Sequence, residues 1–300
     1  MFNIIGKRYL FFIFTIIVVL VCAVSLAAFG LKAGVEFSSG STITVNFVEE
    51  VEQSELEEEL ASLGYDTAIV QEFKLGGGFL LRLPHLSVNE KNELEEGLIA
   101  KFGAVEGESV FERDVDPIIA TETTRNAAIA VAVAAVGILL YISWAFRRMP
   151  NPFRYGVCAI VALLHDTLVA LGVFSILGRT MGFEIDLSFV IGILAVIGYS
   201  VNNTVVVFDR IRENIPRDLK ADFETVVNNS LVETMSRSLN TSLTTLFVVL
   251  ALLLFVGSAI QNFAVVLLVG IIAGTYSSLF IAPSLLVVWR KREWGKFIGR

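Results

Sequence analysis

The chain of 300 residues is 55% apolar and has a mean hydropathy of +0.71, which indicates an integral membrane protein rather than a soluble one. Its formal net charge of −7 is unevenly distributed, because residues 31–125 carry 20 acidic and 7 basic side chains. Such an acidic segment argues against nucleic acid as a partner.

Six apolar runs are long enough to cross about 30 Å of hydrocarbon. The first contains Ser25-Leu26-Ala27, which a signal peptidase could cleave, but its apolar stretch of about twenty residues is longer than a signal h-region, so we expect an uncleaved anchor. The sequence therefore predicts a polytopic α-helical membrane protein with six transmembrane helices. The runs lie at about 10–30, 126–146, 156–177, 187–208, 239–257 and 262–289.

The basic residues indicate the orientation of these spans. Of the 23 Lys and Arg residues, 15 lie in the short segments that flank the spans on one side of the membrane. On the opposite side, the loop between spans three and four has a single basic residue, Arg179. By the positive-inside rule we expect both termini to be cytoplasmic.

The segment 31–124 is the one sizeable soluble domain that we expect, between a first helix at 1–30 and a five-helix membrane domain at 125–300. Ser87 is a predicted N-cap with Glu90 as its capping-box partner. The resulting order β-α-β-β-α-β predicts an extracytoplasmic α+β domain of the ferredoxin-like (βαββαβ) kind. The predicted strands are Thr42–Val48, Thr67–Phe73, Phe79–Leu83 and Ser109–Arg113, the helices are Val51–Leu63 and Ser87–Phe102, and the tight turn is Gly76–Gly78.

An amphipathic helix is predicted on the cytoplasmic side at about 217–236, before span five begins. Pro216 permits a fresh helix after it, and we expect the apolar face of that helix to lie against the membrane surface or a partner. The apolar residues that share this face are Leu219, Phe223, Val226, Val227, Leu231 and Met235.

Polar residues interrupt three of the spans, and polar groups in a bilayer are expensive unless they face another helix or water. In span four, Ser200, Asn203 and Thr204 share one helical face, with Asn202 beside them. In span five, helical spacing produces a continuous polar stripe, which we expect to lie opposite Asn203. The Arg237 side chain at its start either snorkels to water or turns toward the other spans, and the stripe favours the second orientation. The stripe consists of Arg237, Asn240, Thr241, Thr244 and Thr245, and the small-residue packing face of span six consists of Gly270, Gly274, Ser277 and Ser278.

Asp166 is the only carboxylate within the hydrophobic body of any span. It is either a protonatable ion carrier or the acceptor of a structural hydrogen bond from a neighbouring span or from Arg237. The adjacent His165 is titratable, but the pattern favours a structural role for it, because neighbouring residues on a helix point about 100° apart. The ion-coupling candidates are thus Asn203, Arg237 and Asp166. We expect no metal site, cofactor or catalytic group.

The segment Gly198–Asn214 resembles the fourth-span signature of the SecF family, the six-span partners of SecD in bacterial protein export. Similar family segments are Leu163–Asp166, Ser236–Thr245, Gly274–Ser278, and an opening motif at Gly34–Phe37 and Gly40-Ser41, with Glu36 where Asp is usual and Ser39 where Gly is usual.

The resemblance implies one half of a resistance-nodulation-division type transporter in the bacterial inner membrane, paired with SecD. It implies that proton or sodium motive force promotes late export of an unfolded polypeptide through the SecYEG channel, with YajC or YidC as candidate additional partners. It implies no enzymatic activity. The alternatives are half of a small-molecule or lipid exporter of the same superfamily, against which the small outer domain argues, and a structural subunit that transduces nothing.

One departure from the family concerns Asn203, since the fourth-span motif is usually Asn-Asp-Thr and here reads Asn202-Asn203-Thr204. An amide keeps the shape of the carboxylate but carries no titratable proton near neutral pH. Either the chain is an engineered or natural variant with impaired coupling, or the ion path uses Asp166 and a carboxylate of SecD with Arg237 as charge switch, or the chain is mainly a scaffold.

Overall fold

The computed structural model describes residues 3–48, 51–72, 78–103, 110–217, 221–255 and 260–293. It divides into two compact units, residues 33–128 and residues 1–32 together with 129–300, which we call the outer unit and the membrane unit. In chain order the elements are α1 (Arg8–Phe29), α2 (Val35–Ser38), β1 (Gly40–Asn46), α3 (Gln53–Ser62), β2 (Ile69–Glu72), β3 (Gly78–Leu83), α4 (Val88–Phe102), β4 (Val110–Val115), α5 (Pro117–Ala145), α6 (Phe153–Met181), α7 (Leu187–Asn214), α8 (Phe223–Phe255), α9 (Gln261–Tyr276), a π-helical turn (Ser277–Ile281) and α10 (Ala282–Lys291).

The outer unit contains one four-stranded sheet in the order β2-β3-β1-β4, in which all neighbouring strands are antiparallel. The order of elements β-α-β-β-α-β expected from the sequence is present, preceded by α2, a single turn too short for periodicity to indicate it. The apolar core joins the sheet to both longer helices, with Ile43, Val45 and Leu81 from the strands, Leu56 and Leu60 from α3, and Leu94 and Leu98 from α4.

The ends of these elements follow from local chemistry. Ser87 and Glu90 form the predicted capping box at the start of α4, with Ser87 N donating to Glu90 Oε2 at 2.7 Å. Strand β1 starts two residues before the predicted limit at Gly40, whose φ of +134° and close approach to the Leu83 carbonyl exclude a side chain. The predicted strand ends at Phe73 and Ser109 and the turn residues Gly76 and Gly77 lie outside the described residues.

Within the described residues, six helices of the protein are long and apolar enough to cross a bilayer, as predicted. They are longer than the apolar runs, and α8 with 33 residues extends about 50 Å, well beyond the hydrocarbon thickness. The amphipathic helix predicted at about 217–236 is continuous with span five, because no Gly or Pro interrupts the chain there and α8 runs unbroken from Phe223 to Phe255. The apolar residues Val226, Val227 and Leu231 of its first turns are nevertheless buried, whereas Leu219 lies outside the described residues.

At one end of the membrane unit, the start of the chain is fixed to α8. Arg8 is 5% exposed and forms ion pairs of 2.7 Å with Glu224 of α8 and with Glu293, just after α10. The Asn228 side chain of α8 accepts hydrogen bonds from the backbone amides of Ile4 and Ile5 at 2.8 and 3.1 Å. These contacts satisfy amides at the start of the chain that have no helical partner.

Helices α1 and α6 approach closely at Gly172. A Cβ atom at this position would lie 2.3 Å from Cys22 Cβ, a distance that no packed structure tolerates. One turn further along α6, Ser175 Oγ lies 3.0 Å from the Ser25 carbonyl and 2.7 Å from the Gly30 carbonyl, which only this close approach permits.

We expect Gly172→Ala to separate α1 from α6 and to lower the free energy of unfolding by about 1–3 kcal/mol, the usual cost of overpacking. The measurement is thermal or denaturant unfolding of the purified protein in detergent. The matched control is Gly137→Ala in α5, where a Cβ would meet no atom within 4 Å. Equal losses in the two variants would contradict a role for the close approach.

Candidate functional site in the membrane unit

The carboxylate of Asp166 lies where α6, α7 and the π-helical turn meet, and it is 1% exposed. Its Oδ2 accepts a hydrogen bond of 2.6 Å from Ser200 Oγ and one of 2.9 Å from Ser277 Oγ. Its Oδ1 lies 3.0 Å from Nδ1 of His165. Three partners around one carboxylate compensate for the loss of water, which burial of a charge requires. Two of the predicted ion-coupling and packing residues, Asp166 and Ser277, are thus brought together with Ser200.

Small residues in the last span make this contact possible. A Cβ at Gly274 would lie 2.8 Å from Ser200 Cβ and 3.4 Å from Asp166 Oδ2, and a Cβ at Gly270 would lie 2.2 Å from the Val196 side chain. The glycines predicted as a packing face therefore lie directly against α7, where any larger residue would move Ser200 away from Asp166.

Asn203 lies one turn from Ser200 on the buried face of α7, but its partner is not the one expected. Its Nδ2 donates to Ser242 Oγ of α8 at 3.3 Å. Tyr199 Oη and Thr275 Oγ1 lie 3.2 and 2.7 Å from the same Ser242 oxygen. This cluster, which we call the Ser242 node, joins α7, α8 and α9 without any charged group.

The number of protons fixes the direction of each bond in the Ser242 node. Thr275 Oγ1 lies 2.6 Å from the Ile271 carbonyl, which can only accept, so the single Thr275 proton goes there. Ser242 must then donate its own proton to Thr275, and its two lone pairs accept from Asn203 and Tyr199. Each hydroxyl proton in the node thus has an acceptor, and the node contains no carboxylate.

Thr204 completes the polar region through the π-helical turn. Its Oγ1 donates to Ser278 Oγ at 2.9 Å, and Ser278 Oγ donates to the Ser200 carbonyl at 3.0 Å. The amide of Ala282 bonds to the Ser277 carbonyl five residues back, which widens this turn. The extra residue in the turn allows two consecutive serines, Ser277 and Ser278, both to face inward; π-turns of this kind are frequent at functional sites.

The expected position of the span-five polar stripe opposite Asn203 was wrong. Arg237, Asn240, Thr241 and Thr244 are all exposed on the membrane unit, and Thr245 is half-buried. The threonine hydroxyls of the stripe bond to carbonyls of α8 itself, as Thr244 Oγ1 does to the Asn240 carbonyl at 3.0 Å. Asn202 is likewise exposed, on α7. The structure therefore does not bring Arg237 together with Asp166 or Asn203.

Arg237 instead borders a cleft of about 460 Å³ near the α7–α8 loop. Within the described part of the chain Arg237 forms no ion pair, although the cleft holds three carboxylates. The cleft is lined by Val206, Asp209, Arg210, Glu213, Glu233, Thr234 and Arg237.

The sequence interpretation missed Ser242, Tyr199 and Thr275. Ser238 and Ser242 form a second row on α8, four residues apart, next to the stripe, and both are buried. Their small size was the available signal, since close helix packing in membranes selects small residues. Among the described residues, no group of three or more His, Cys, Asp or Glu side chains could hold a metal ion.

Residues 98–292 match the family of the protein export membrane proteins SecD/SecF, C-terminal region. The chain belongs to the SecD/SecF family. A protein translocase subunit SecF from Thermobaculum terrenum is 42% identical over 311 aligned residues, which cover 100% of this chain and 98% of that protein. The protein translocase subunit SecDF of Bacillus subtilis is 35% identical over 96% of this chain, which spans only 38% of that longer protein.

A solved structure of the same family has the same fold. The crystal structure of SecDF, a translocon-associated membrane protein from a Thermus species, superimposes with a TM-score of 0.84 at 34% sequence identity and covers 97% of this chain. This chain corresponds to 39% of that one. The chain thus matches a SecF relative over nearly its whole length and SecDF relatives over about two fifths of theirs.

We expect Ser242→Ala to lower the free energy of unfolding by about 1–3 kcal/mol, because it leaves Asn203 and Tyr199 without their buried acceptor. Thr244→Ala, two residues away on the exposed stripe, should change it by less than about 0.5 kcal/mol. Unfolding of both variants in the same detergent checks this. A loss in Thr244→Ala as large as in Ser242→Ala would contradict the assignment of the Ser242 node.

Proposed function

We propose that this protein is an accessory subunit of the Sec protein translocase that pairs with SecD in the bacterial cytoplasmic membrane. In this proposal both termini are cytoplasmic, and the outer unit is an extracytoplasmic ferredoxin-like domain. The complex uses proton or sodium motive force to promote late export of unfolded polypeptides through SecYEG, with YajC or YidC as candidate additional partners. The translocase names of its full-length relatives support this assignment.

The observation that carries the pairing is the exposed polar stripe on α8. Arg237 lies two residues before the apolar run at 239–257 and Asn240 lies within that run, and a polar side chain that faces hydrocarbon without a partner is energetically costly. Because Arg237 and Asn240 are both exposed, the membrane unit is energetically incomplete alone. A second membrane protein with acceptors in its spans would cover the stripe and supply the carboxylate that Arg237 lacks among the described residues.

Helix α7 offers a neighbouring surface for the same partner. Gly198 and Asn202 are exposed four residues apart, and a Cβ at Gly198 would meet no atom within 4 Å. A small residue beside an amide is a typical contact surface for a transmembrane helix. The SecDF relatives, in which a matching region is part of a longer chain, support SecD as the partner.

Within this complex we propose that Asp166 binds the coupling ion and that Arg237 acts as charge switch against a carboxylate of SecD. Asp166 has the buried carboxylate that a carrier requires, whereas the uncharged Ser242 node favours a structural role for Asn203. The outer unit, with its antiparallel order β2-β3-β1-β4, would engage the emerging polypeptide.

We expect Arg237→Met to leave the complex with SecD assembled but to abolish ion-dependent export, because Met covers the same surface without the charge. Co-purification with SecD and export into membrane vesicles are the two measurements. Arg179→Met, at an exposed position near the end of α6, is the matched control and should export normally. Loss of assembly in Arg237→Met would assign the residue a structural role instead.

Asn203→Asp separates a transducing from a structural role for position 203. We expect little change in export, since Asp166, which in this proposal binds the coupling ion, is unchanged in this variant. The measurement is ion-dependent export by the complex with SecD, with Asn240→Asp on the exposed stripe as control. A several-fold gain in Asn203→Asp alone would show that the coupling path runs through position 203 after all.

A further inference from the structure

The oxygen atoms around Asp166 are too close together to hold a metal cation. Sodium has nearly the radius of calcium, whose oxygen ligands lie at about 2.3–2.6 Å, so two ligands at right angles are about 3.4 Å apart. Ser200 Oγ and Ser277 Oγ lie only 2.6 and 2.9 Å from Asp166 Oδ2. These are hydrogen-bond distances, and the space between the oxygens is occupied by the hydroxyl protons.

The neighbouring backbone adds no cage of free carbonyl groups. The Gly274 carbonyl lies 3.2 Å from Ser277 Oγ, and the Ser200 carbonyl accepts from Ser278 at 3.0 Å. A cation of this size takes six or more oxygen ligands, whereas one carboxylate and two hydroxyls converge here. One carboxylate with two hydroxyl groups is sufficient to bind a proton, which needs only one acceptor.

The second oxygen of Asp166 has a nitrogen partner. His165 Nδ1 lies 3.0 Å from Oδ1, and both side chains are buried. An imidazole exchanges protons near neutral pH and is not a ligand for sodium. The sequence favoured a merely structural His165 because adjacent helical residues diverge, but here the ring turns back onto its neighbour.

His165 also separates Asp166 from an apolar cavity of about 380 Å³ between α1, α6 and α9. Among the described residues, the other titratable group that faces the pair is Tyr276 of α9, whose ring centroid is 6.0 Å from that of His165. The Tyr276 hydroxyl is turned to α1, where it donates to the Phe11 carbonyl at 2.9 Å. Helix α7 contributes the uncharged Ser200, and the last span contributes the uncharged Ser277.

We propose that Asp166 and His165 form one proton-binding pair and that the ion bound at this site is the proton, not sodium. This inference rests on the proposed function, because it names the ion of the proposed coupling site. The pair takes up one proton from water as a new O–H or N–H bond and returns it to water when that bond breaks. Because Asp166 Oδ1 and His165 Nδ1 lie 3.0 Å apart, we assign the bound proton to the pair and not to one residue.

Protonation has a structural consequence at Ser277. A proton on Asp166 weakens the acceptor that holds both hydroxyls, and Ser277 belongs to the π-helical turn. Removal of the Ser277 hydroxyl deletes one donor to the ionised carboxylate. The pH midpoint of proton uptake should therefore move upward in Ser277→Ala, a change that a purely structural serine would not cause.

The test is infrared difference spectroscopy of the full chain purified with SecD. Acidification without sodium should produce a protonated-carboxyl band that shifts in heavy water. We expect Asp166→Asn to lack this band and Asp209→Asn, at a half-buried carboxylate of α7 that pairs with Arg212, to keep it. Replacement of choline by sodium at constant pH should leave the band unchanged, and binding of radioactive sodium should not differ between Asp166→Asn and the parent protein.

Two results would overturn the inference. The first result is that sodium suppresses the protonated-carboxyl band at constant pH and that sodium binding is also lost in Asp166→Asn. The other is a band that persists in Asp166→Asn, or, if that variant does not fold, an unchanged midpoint in Ser277→Ala. Neither measurement requires export. A complex that still exports although Asp166 takes up no proton refutes only this inference, whereas proton uptake at Asp166 in a complex that does not export refutes only the proposed function.

Discussion

The membrane unit depends on the requirement that a buried carboxylate be surrounded by hydrogen-bond donors. Asp166 cannot lie among apolar helices unless other elements bring donors to it, and the two serine donors come from α7 and the π-helical turn. That demand explains why the last span has glycines where it crosses α7 and a widened turn where it passes Asp166. A single charge thereby fixes the positions of three helices.

Much of this region could be predicted from the sequence, because helical period identifies residues that share a face. Ser200, Asn203 and Thr204 are buried together, as are the small residues of the last span. The helical period does not indicate whether a helix face points toward the core of the membrane unit or toward its surface. On α8 the most polar row is exposed, and the neighbouring row with Ser242 faces the core because its side chains are small enough for close contact.

The ends of the helices and strands in the outer unit were less predictable for a different reason. A single helical turn such as α2 leaves no periodic signal, and β1 begins at Gly40 because of a backbone approach to β3 that only the folded chain creates. In α8 the change from amphipathic to apolar composition indicated two helices. The helical backbone, however, continues without regard to the environment of its side chains unless Gly or Pro interrupts it.

The unbroken course of α8 gives the protein a rigid mechanical link. Asn228, which holds the first amides of the chain, and Ser242, which holds Asn203, lie on one helix about 21 Å apart. A helix transmits axial displacement because its hydrogen bonds resist stretching. Any axial shift that a partner imposes on the exposed side of α8 therefore displaces the start of the chain and the Ser242 node by the same distance.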